Sequence, residues 1–163
     1  LLGAALVGLG AQADVPMFPV PMTLQSLFIM LVGALLGARW GTASIVVYLA
    51  AGAAGLPIFA DGASGVEHFV GPTAGYLVGF AVAAAWVGWR CEAGDLAFWR
   101  VSAAMLVGHA WILGVGAAWL AVHTGWAAAW TGGVAPFVVG AAVKSLVAAG
   151  LAKLWWSREE TSR

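Results

Sequence analysis

One side chain in this sequence sits where its chemistry is costly. Lys144 interrupts the apolar stretch 135–152, and between Arg100 and Lys153 there is no other Lys, Arg, Asp or Glu. Such a run reads as a membrane-spanning helix, in which an ammonium costs roughly 2.5–3.5 kcal/mol on insertion scales. A buried ammonium attracts anions and donates charge-assisted hydrogen bonds. Thr23, Gln25, Tyr48, Thr73 and Tyr76 are uncharged hydrogen bonders near the same end of the predicted bundle. Covalent chemistry finds little support. Neither HExxH nor GxSxG occurs, and no histidine is paired in sequence with a nucleophile. His109 falls in mid-helix, where a lone histidine reads as a packing or hydrogen-bonded residue. His68 and His123 fall in or near loops. No GxxxxGK[ST] is present, so ATP hydrolysis through a P-loop is excluded. Cys91 is the single cysteine and permits neither an internal disulfide framework nor a cysteine metal cluster. Two readings of Lys144 remain: non-covalent capture of a small anion, and a lysine that pairs structurally with another helix.

The elements that must hold these groups follow from composition. The chain is 63% hydrophobic and 9% charged, against about 25% charged in soluble domains, so it is an integral membrane protein. Its apolar residues form long runs rather than alternating segments of about 10 residues, which favours helices over a barrel. The formal net charge of zero points to no nucleic-acid partner. At about 20 residues per crossing, 163 residues predict six transmembrane helices in one domain, 1–163. The first occupies 1–13 and begins inside an apolar run without Met, which predicts truncation at its N-terminus. Asp14 and Pro16, Pro19 and Pro21 end it. Thr23 is a candidate N-cap for a second helix to Gly37, and a third runs over 40–55. The fourth covers 71–89, the fifth 100–122 and the sixth 136–156, with Pro136 in its first turn.

Basic residues orient the bundle. Arg39, Arg90, Arg100, Lys153, Arg158 and Arg163 lie at one set of helix ends, and the connections 14–22, 56–70 and 123–135 contain no Lys or Arg. The positive-inside rule then predicts cytoplasmic termini and an outward face for Asp14, Asp61, Glu67, His68 and His123. Lys144 lies eight residues beyond Pro136, roughly 12 Å below the outer surface. The outward connections are themselves apolar, and the third is expected to be a loop carrying Trp126, Trp130 and a flexible Thr131-Gly132-Gly133. Apolar loops over a lysine predict a lid on an amphipathic anion arriving from outside. Small residues at four-residue spacing, Ala4/Gly8, Gly33/Gly37 and Gly75/Gly79/Ala83, predict close helix packing, and for Ala4/Gly8 a partner interface equally. Tryptophans near helix ends (Trp40, Trp86, Trp89, Trp126, Trp130, Trp155, Trp156) read as an interfacial belt.

Four ordered motifs give a resemblance: Pro19-Val20-Pro21-Met22-Thr23-Leu24-Gln25, Gly37-Ala38-Arg39-Trp40-Gly41, Gly55-Leu56-Pro57-Ile58-Phe59-Ala60, and Gly71-Pro72-Thr73-Ala74-Gly75-Tyr76-Leu77-Val78-Gly79-Phe80. Together they resemble the BioY family, biotin-specific S components of energy-coupling-factor (ECF) transporters, from about residue 11 to 144. The resemblance implies a compact all-α S-component bundle in the cell (cytoplasmic) membrane and a biotin site closed by outer loops. It further implies docking on a transmembrane coupling subunit driven by two cytoplasmic ATPases, with the small residues Ala4 and Gly8 meeting that subunit. It implies no enzyme activity and no cofactor.

In that family the sixth helix reads Pro-Phe, two residues, Gly-Asp, two residues, Lys. Here Pro136, Phe137, Gly140 and Lys144 are kept, but Ala141 stands at the aspartate position. Residues 141 and 144 share a helix face, so an aspartate there would adjoin the ammonium. Biotin offers a carboxylate, a ureido group and an apolar thiophane ring with a valeryl chain. Lys144 can meet the carboxylate or the ureido oxygen, and Tyr76, Thr73, Thr23, Gln25, Asp14 and Glu67 the remaining polar atoms. Phe59, Phe18 and the loop tryptophans can cover the rings. Because of Ala141, a different small vitamin-like anion remains an alternative ligand, and a stand-alone secondary carrier an alternative mechanism.

Overall fold

The computed structural model describes residues 1–92 and 97–161; Arg163, counted above among the orienting charges, lies outside them. The chain is mostly helical: α1 (Leu2–Ala11), α2 (Gln25–Ala53), α3 (Ala74–Glu92), α4 (Phe98–Thr124), α5 (Trp126–Gly133) and α6 (Val138–Thr161). Two short strands, β1 (Asp14–Val15) and β2 (Met22–Thr23), pair antiparallel with Asp14 opposite Thr23. Among the described residues, four stretches are long and apolar enough to cross a membrane: Gln25–Ala53, Ala74–Glu92, Phe98–Thr124 and Trp126–Thr161. Their outer faces carry exposed Val46, Val78, Leu106, Trp111, Val143 and Leu151. Apolar residues on that surface suit lipid as solvent.

The predicted break between the second and third helices falls inside α2, at Gly37, whose φ of 76° is open to glycine and strained for other residues. The two arms, 25–36 and 38–53, fold back on each other there. A Cβ on Gly41 would lie 2.9 Å from the Gly33 Cα, whereas residues eight apart on a straight helix are about 12 Å apart. The turn is latched by α3: the Ala38 N–H donates to Glu92 Oε1 at 3.0 Å, and Gly88 lies directly against the Gly37–Ala38 backbone.

Glycines set the helix spacings, because without a lipid-excluding force close backbone contact must supply the attraction. Gly33 faces the Ala84 carbonyl of α3, at 2.8 Å from its would-be Cβ, and Gly79 faces Ile112 of α4 at 2.9 Å. Trp86, expected in the interfacial belt, instead bridges α3 and α4, its Nε1–H donating to the Ala104 carbonyl at 3.0 Å.

Gly8 is buried and lies against Ile58 and Tyr48, and the half-buried Ala4 packs on the same core. The exposed residues of α1 are Leu2, Ala5 and Leu9. One expectation needs correction. The third outward connection is not a flexible loop. Residues 126–133 are helical as α5: Ala127, Ala128 and Ala129 are strong helix formers, and the Thr131 hydroxyl bonds back to the Ala127 carbonyl at 2.9 Å.

Candidate functional site

At the end of the bundle where the ribbon, the 54–73 connection and α5 converge, the helices enclose a cavity of about 180 Å³. Its walls come from β2 and the start of α2 (Thr23, Gln25, Ser26), α3 (Tyr76, Leu77, Phe80), α4 (His109, Ile112, Leu113) and α6 (Ala141, Lys144). Val20, Pro21, Phe59, Ala60, His68 and Thr73 close it from the connecting segments. Among the described residues, Lys144 is the one Lys, Arg, Asp or Glu that lines it.

Lys144 is half-buried, and its ammonium points toward the α2 wall. Nζ donates to the Thr23 carbonyl at 2.6 Å and reaches the Ser26 hydroxyl at 3.4 Å. The ribbon explains why that carbonyl is there: pairing of β1 with β2 and a bond from the Leu24 N–H to the Ala13 carbonyl, 3.0 Å, fix the Thr23 backbone over the bundle.

A second polar line runs from the same residue. The Thr23 hydroxyl donates to Gln25 Oε1 at 3.0 Å and accepts from the Gln25 N–H at 3.2 Å. Gln25 Nε2 donates to the Tyr48 hydroxyl, which donates to the Ile58 carbonyl at 3.2 Å. Both Gln25 and Tyr48 are buried, and buried polar groups of this kind rigidify a site when every partner is supplied. The line ties the ribbon to the 54–73 connection. Phe59 stands above it, edge-on to Tyr48 and His68 at ring-centroid distances of 5.5 Å each. Gly52 lies under the Phe59 ring with no room for a Cβ.

Tyr76 performs the same task on the α5 side. Its hydroxyl donates to the Gly133 carbonyl at 2.9 Å, and Gly116 and Gly133 are both pressed against the side chain. Tyr76→Phe is expected to lower the thermal unfolding midpoint in detergent by an amount worth about 1 kcal/mol, because a buried carbonyl loses its donor. An unchanged midpoint would show that the bond holds nothing.

Of the residues singled out in the sequence, Lys144, Tyr76, Thr73, Gln25, Thr23 and Phe59 meet around the cavity, and Ala141 lines it one turn before Lys144. Glu67 and Asp14 do not line it. Glu67 is exposed in a short 3-10 turn, and Asp14 sits in the outer ribbon. Phe18, Trp126 and Trp130 are also outside, at 95%, 71% and 61% exposure. Ser26 and His109, not singled out as ligand contacts, are in the wall. Ser26 lies three residues past Thr23 on the same helical entry, a signal that was present; His109 reads from sequence as ordinary packing.

The BioY family model matches residues 1–161. This chain belongs to the BioY family. A probable biotin transporter BioY of Pyrococcus horikoshii is 38% identical over 152 residues, spanning 93% of this chain and 90% of its own. The biotin transporter BioY of Thermotoga maritima is 38% identical over 149 residues, spanning 91% and 88% respectively. The fold is that of a crystal structure of an S-component for biotin from an ECF-type ABC transporter. The TM-score is 0.87 at 24% identity, covering 96% of this chain and 87% of that one. BioY membership gives the departure at residue 141 a physical place: Ala141 is 8% exposed and leaves a methyl group on the cavity wall beside the ammonium.

Proposed function

We propose that this chain is the biotin-binding S component of an ECF transporter. It captures biotin from outside the cell in the cavity beneath the ribbon, the 54–73 connection and α5, and releases it inward when partner subunits hydrolyse ATP. Six crossings with both termini cytoplasmic accompany this reading. The reversal at Gly37 supports counting α2 as two crossings, and the basic residues at one set of helix ends support the orientation.

The observation that carries the proposal is a single ammonium in a mostly apolar cavity with a few uncharged hydrogen bonders, in a chain of the BioY family. Biotin's carboxylate pairs with Lys144, while Leu77, Phe80, Ile112 and Phe59 cover its ring and chain. Thr23, Gln25, Thr73 and Tyr76 stand within the same wall for its polar atoms. The chain is a binding subunit rather than an enzyme, and the energy for uptake comes from two cytoplasmic ATPases acting through a transmembrane coupling subunit. The alternative of another vitamin-like anion rests on Ala141, which takes one carboxylate away from the wall.

Uptake of labelled biotin by cells that cannot make it separates the mechanisms. Concentrative uptake is expected when the chain is expressed with a coupling subunit and its ATPases, and only equilibration or retention at the membrane without them. Equal concentrative uptake in both cells would contradict the ATP-driven reading in favour of a secondary carrier.

A further inference from the structure

The polar side chains of the cavity wall fall into two sets. Lys144, Thr23, Gln25, Ser26 and Tyr76 already bond within the protein. His109 does so too: its Nδ1 is 3.1 Å from the Met105 carbonyl and 2.9 Å from the Ser145 hydroxyl, and its Nε2 is sealed from solvent. His68 and Thr73 line the same cavity, and their side chains make no hydrogen bond among the described residues. Both are half-buried, and neither is sealed. Among the described residues, the buried side-chain atoms without a partner are the Thr42 hydroxyl and His109 Nε2. The imidazole nitrogens of His68 and the Thr73 hydroxyl therefore stay accessible.

The fold holds the imidazole in place. Its ring stands edge-on to Phe59, with 5.5 Å between centroids and 71° between planes. Phe59 is itself buried and packs edge-on to Tyr48 and Phe69. The backbone on either side is pinned: the Gly65 N–H donates to the Gly52 carbonyl at 2.8 Å, and the Gly71 N–H to the Glu67 carbonyl at 3.0 Å. From α4, Trp119 Nε1–H donates to the Gly71 carbonyl at 2.9 Å. A polar group held this firmly and left without a partner is pre-organised for one that arrives with the ligand.

The turn that carries His68 packs on α2 and α3, whereas the Lys144 ammonium comes from α6 and reaches Thr23 and Ser26. The cavity thus offers a cation from one element and an imidazole with a hydroxyl from another. A neutral imidazole presents one N–H donor and one acceptor nitrogen, and a hydroxyl does both. That inventory matches a molecule with an anion at one end and both N–H and C=O groups at the other.

We infer that His68 is a ligand-contacting, specificity-determining residue that hydrogen-bonds the end of the bound molecule remote from Lys144. The inference rests on the biotin reading, under which that end is the ureido ring, met by the imidazole together with the Thr73 hydroxyl. Molecules that carry a similar carboxylated chain without such a ring forgo these bonds and are selected against.

The test is biotin titration of purified wild-type protein, His68→Phe and His68→Asn, with nitrogen NMR of the histidine-labelled wild type. His68→Phe keeps a ring against Phe59 and removes both polar nitrogens, and is expected to weaken biotin about 10-fold. His68→Asn returns a donor and an acceptor without the ring, and is expected to recover most of that loss. A ring that only packs on Phe59 predicts the reverse order. The chain has three histidines, so the His68 signal is the one that neither His109→Gln nor His123→Gln removes, and the spectrum decides even if a His68 variant fails to fold. That signal is expected to move at saturating biotin and to stay in place with hexanoate, which has a carboxylated chain and no ureido ring. Unchanged biotin affinity in His68→Phe would overturn the proposal, as would a His68 signal that biotin leaves in place or that hexanoate moves as far. Absence of biotin binding by the wild type is read first, in the same titration, and would overturn the biotin reading beneath the proposal.

Discussion

Replacing Lys144 with methionine is expected to weaken biotin binding at least about 30-fold while leaving the protein folded. Methionine keeps the length and apolar stem of lysine and removes the charge. The Thr23 carbonyl and Ser26 hydroxyl lose a donor, but both lie in a cavity wall. The ligand's carboxylate, by contrast, would be left buried without its counter-charge. Truncating one partner of a buried, hydrogen-bonded charge pair costs about 2–5 kcal/mol, and 1.4 kcal/mol is tenfold in affinity. Equilibrium titration of purified protein, with thermal unfolding run alongside, separates lost affinity from lost fold. Full affinity in Lys144→Met would remove the ammonium from the site.

Gly88→Ala is expected to have the largest effect on the fold. The added methyl would meet the Gly37 carbonyl carbon and the Ala38 nitrogen and Cα, all backbone atoms with no rotamer to yield. Overpacking of this kind costs about 1–3 kcal/mol and sometimes more. The collision falls where α3 latches the reversal of α2, so the hairpin of α2 should loosen as a unit. Gly150→Ala is the matched control: no atom lies within 4 Å of its would-be Cβ, and alanine in a helix interior gains roughly 0.5–1 kcal/mol over glycine. Thermal unfolding followed by tryptophan fluorescence should show a lower midpoint for Gly88→Ala and an equal or higher one for Gly150→Ala. Matching midpoints for the two variants would contradict the packing described for α2 and α3.

Both outcomes bear on how much the sequence discloses. Helices were legible because apolar runs have lengths, and Gly37 was legible as a boundary because glycine followed by Ala-Arg-Trp breaks a run. The positions of Lys144, Gln25 and Tyr76 along their helices were legible too, since spacing fixes depth. Direction was not. Ala4 and Gly8 carry the same small-residue spacing whether they face a partner or their own chain, and only the fold shows that Gly8 lies against Ile58 and Tyr48. Residues 126–133 contain loop-like Thr-Gly-Gly, but their register with α4 and Tyr76 lets them finish a helical turn. Glu67 and Asp14 fall on the expected outward segments, yet the 3-10 turn and the ribbon place them outside the cavity wall. His109 was visible as a polar residue in mid-helix; what sequence could not give was that Met105 and Ser145 occupy one of its nitrogens and leave the other bare.

The central claim is that an anion held by Lys144 occupies the cavity between α2, α3, α4 and α6. A structure of the purified protein saturated with biotin tests it most directly. The account predicts biotin inside that cavity, its carboxylate on Lys144 Nζ, under the ribbon and the 54–73 connection. Biotin bound elsewhere on the protein, or a cavity left unfilled at saturating biotin, would contradict it.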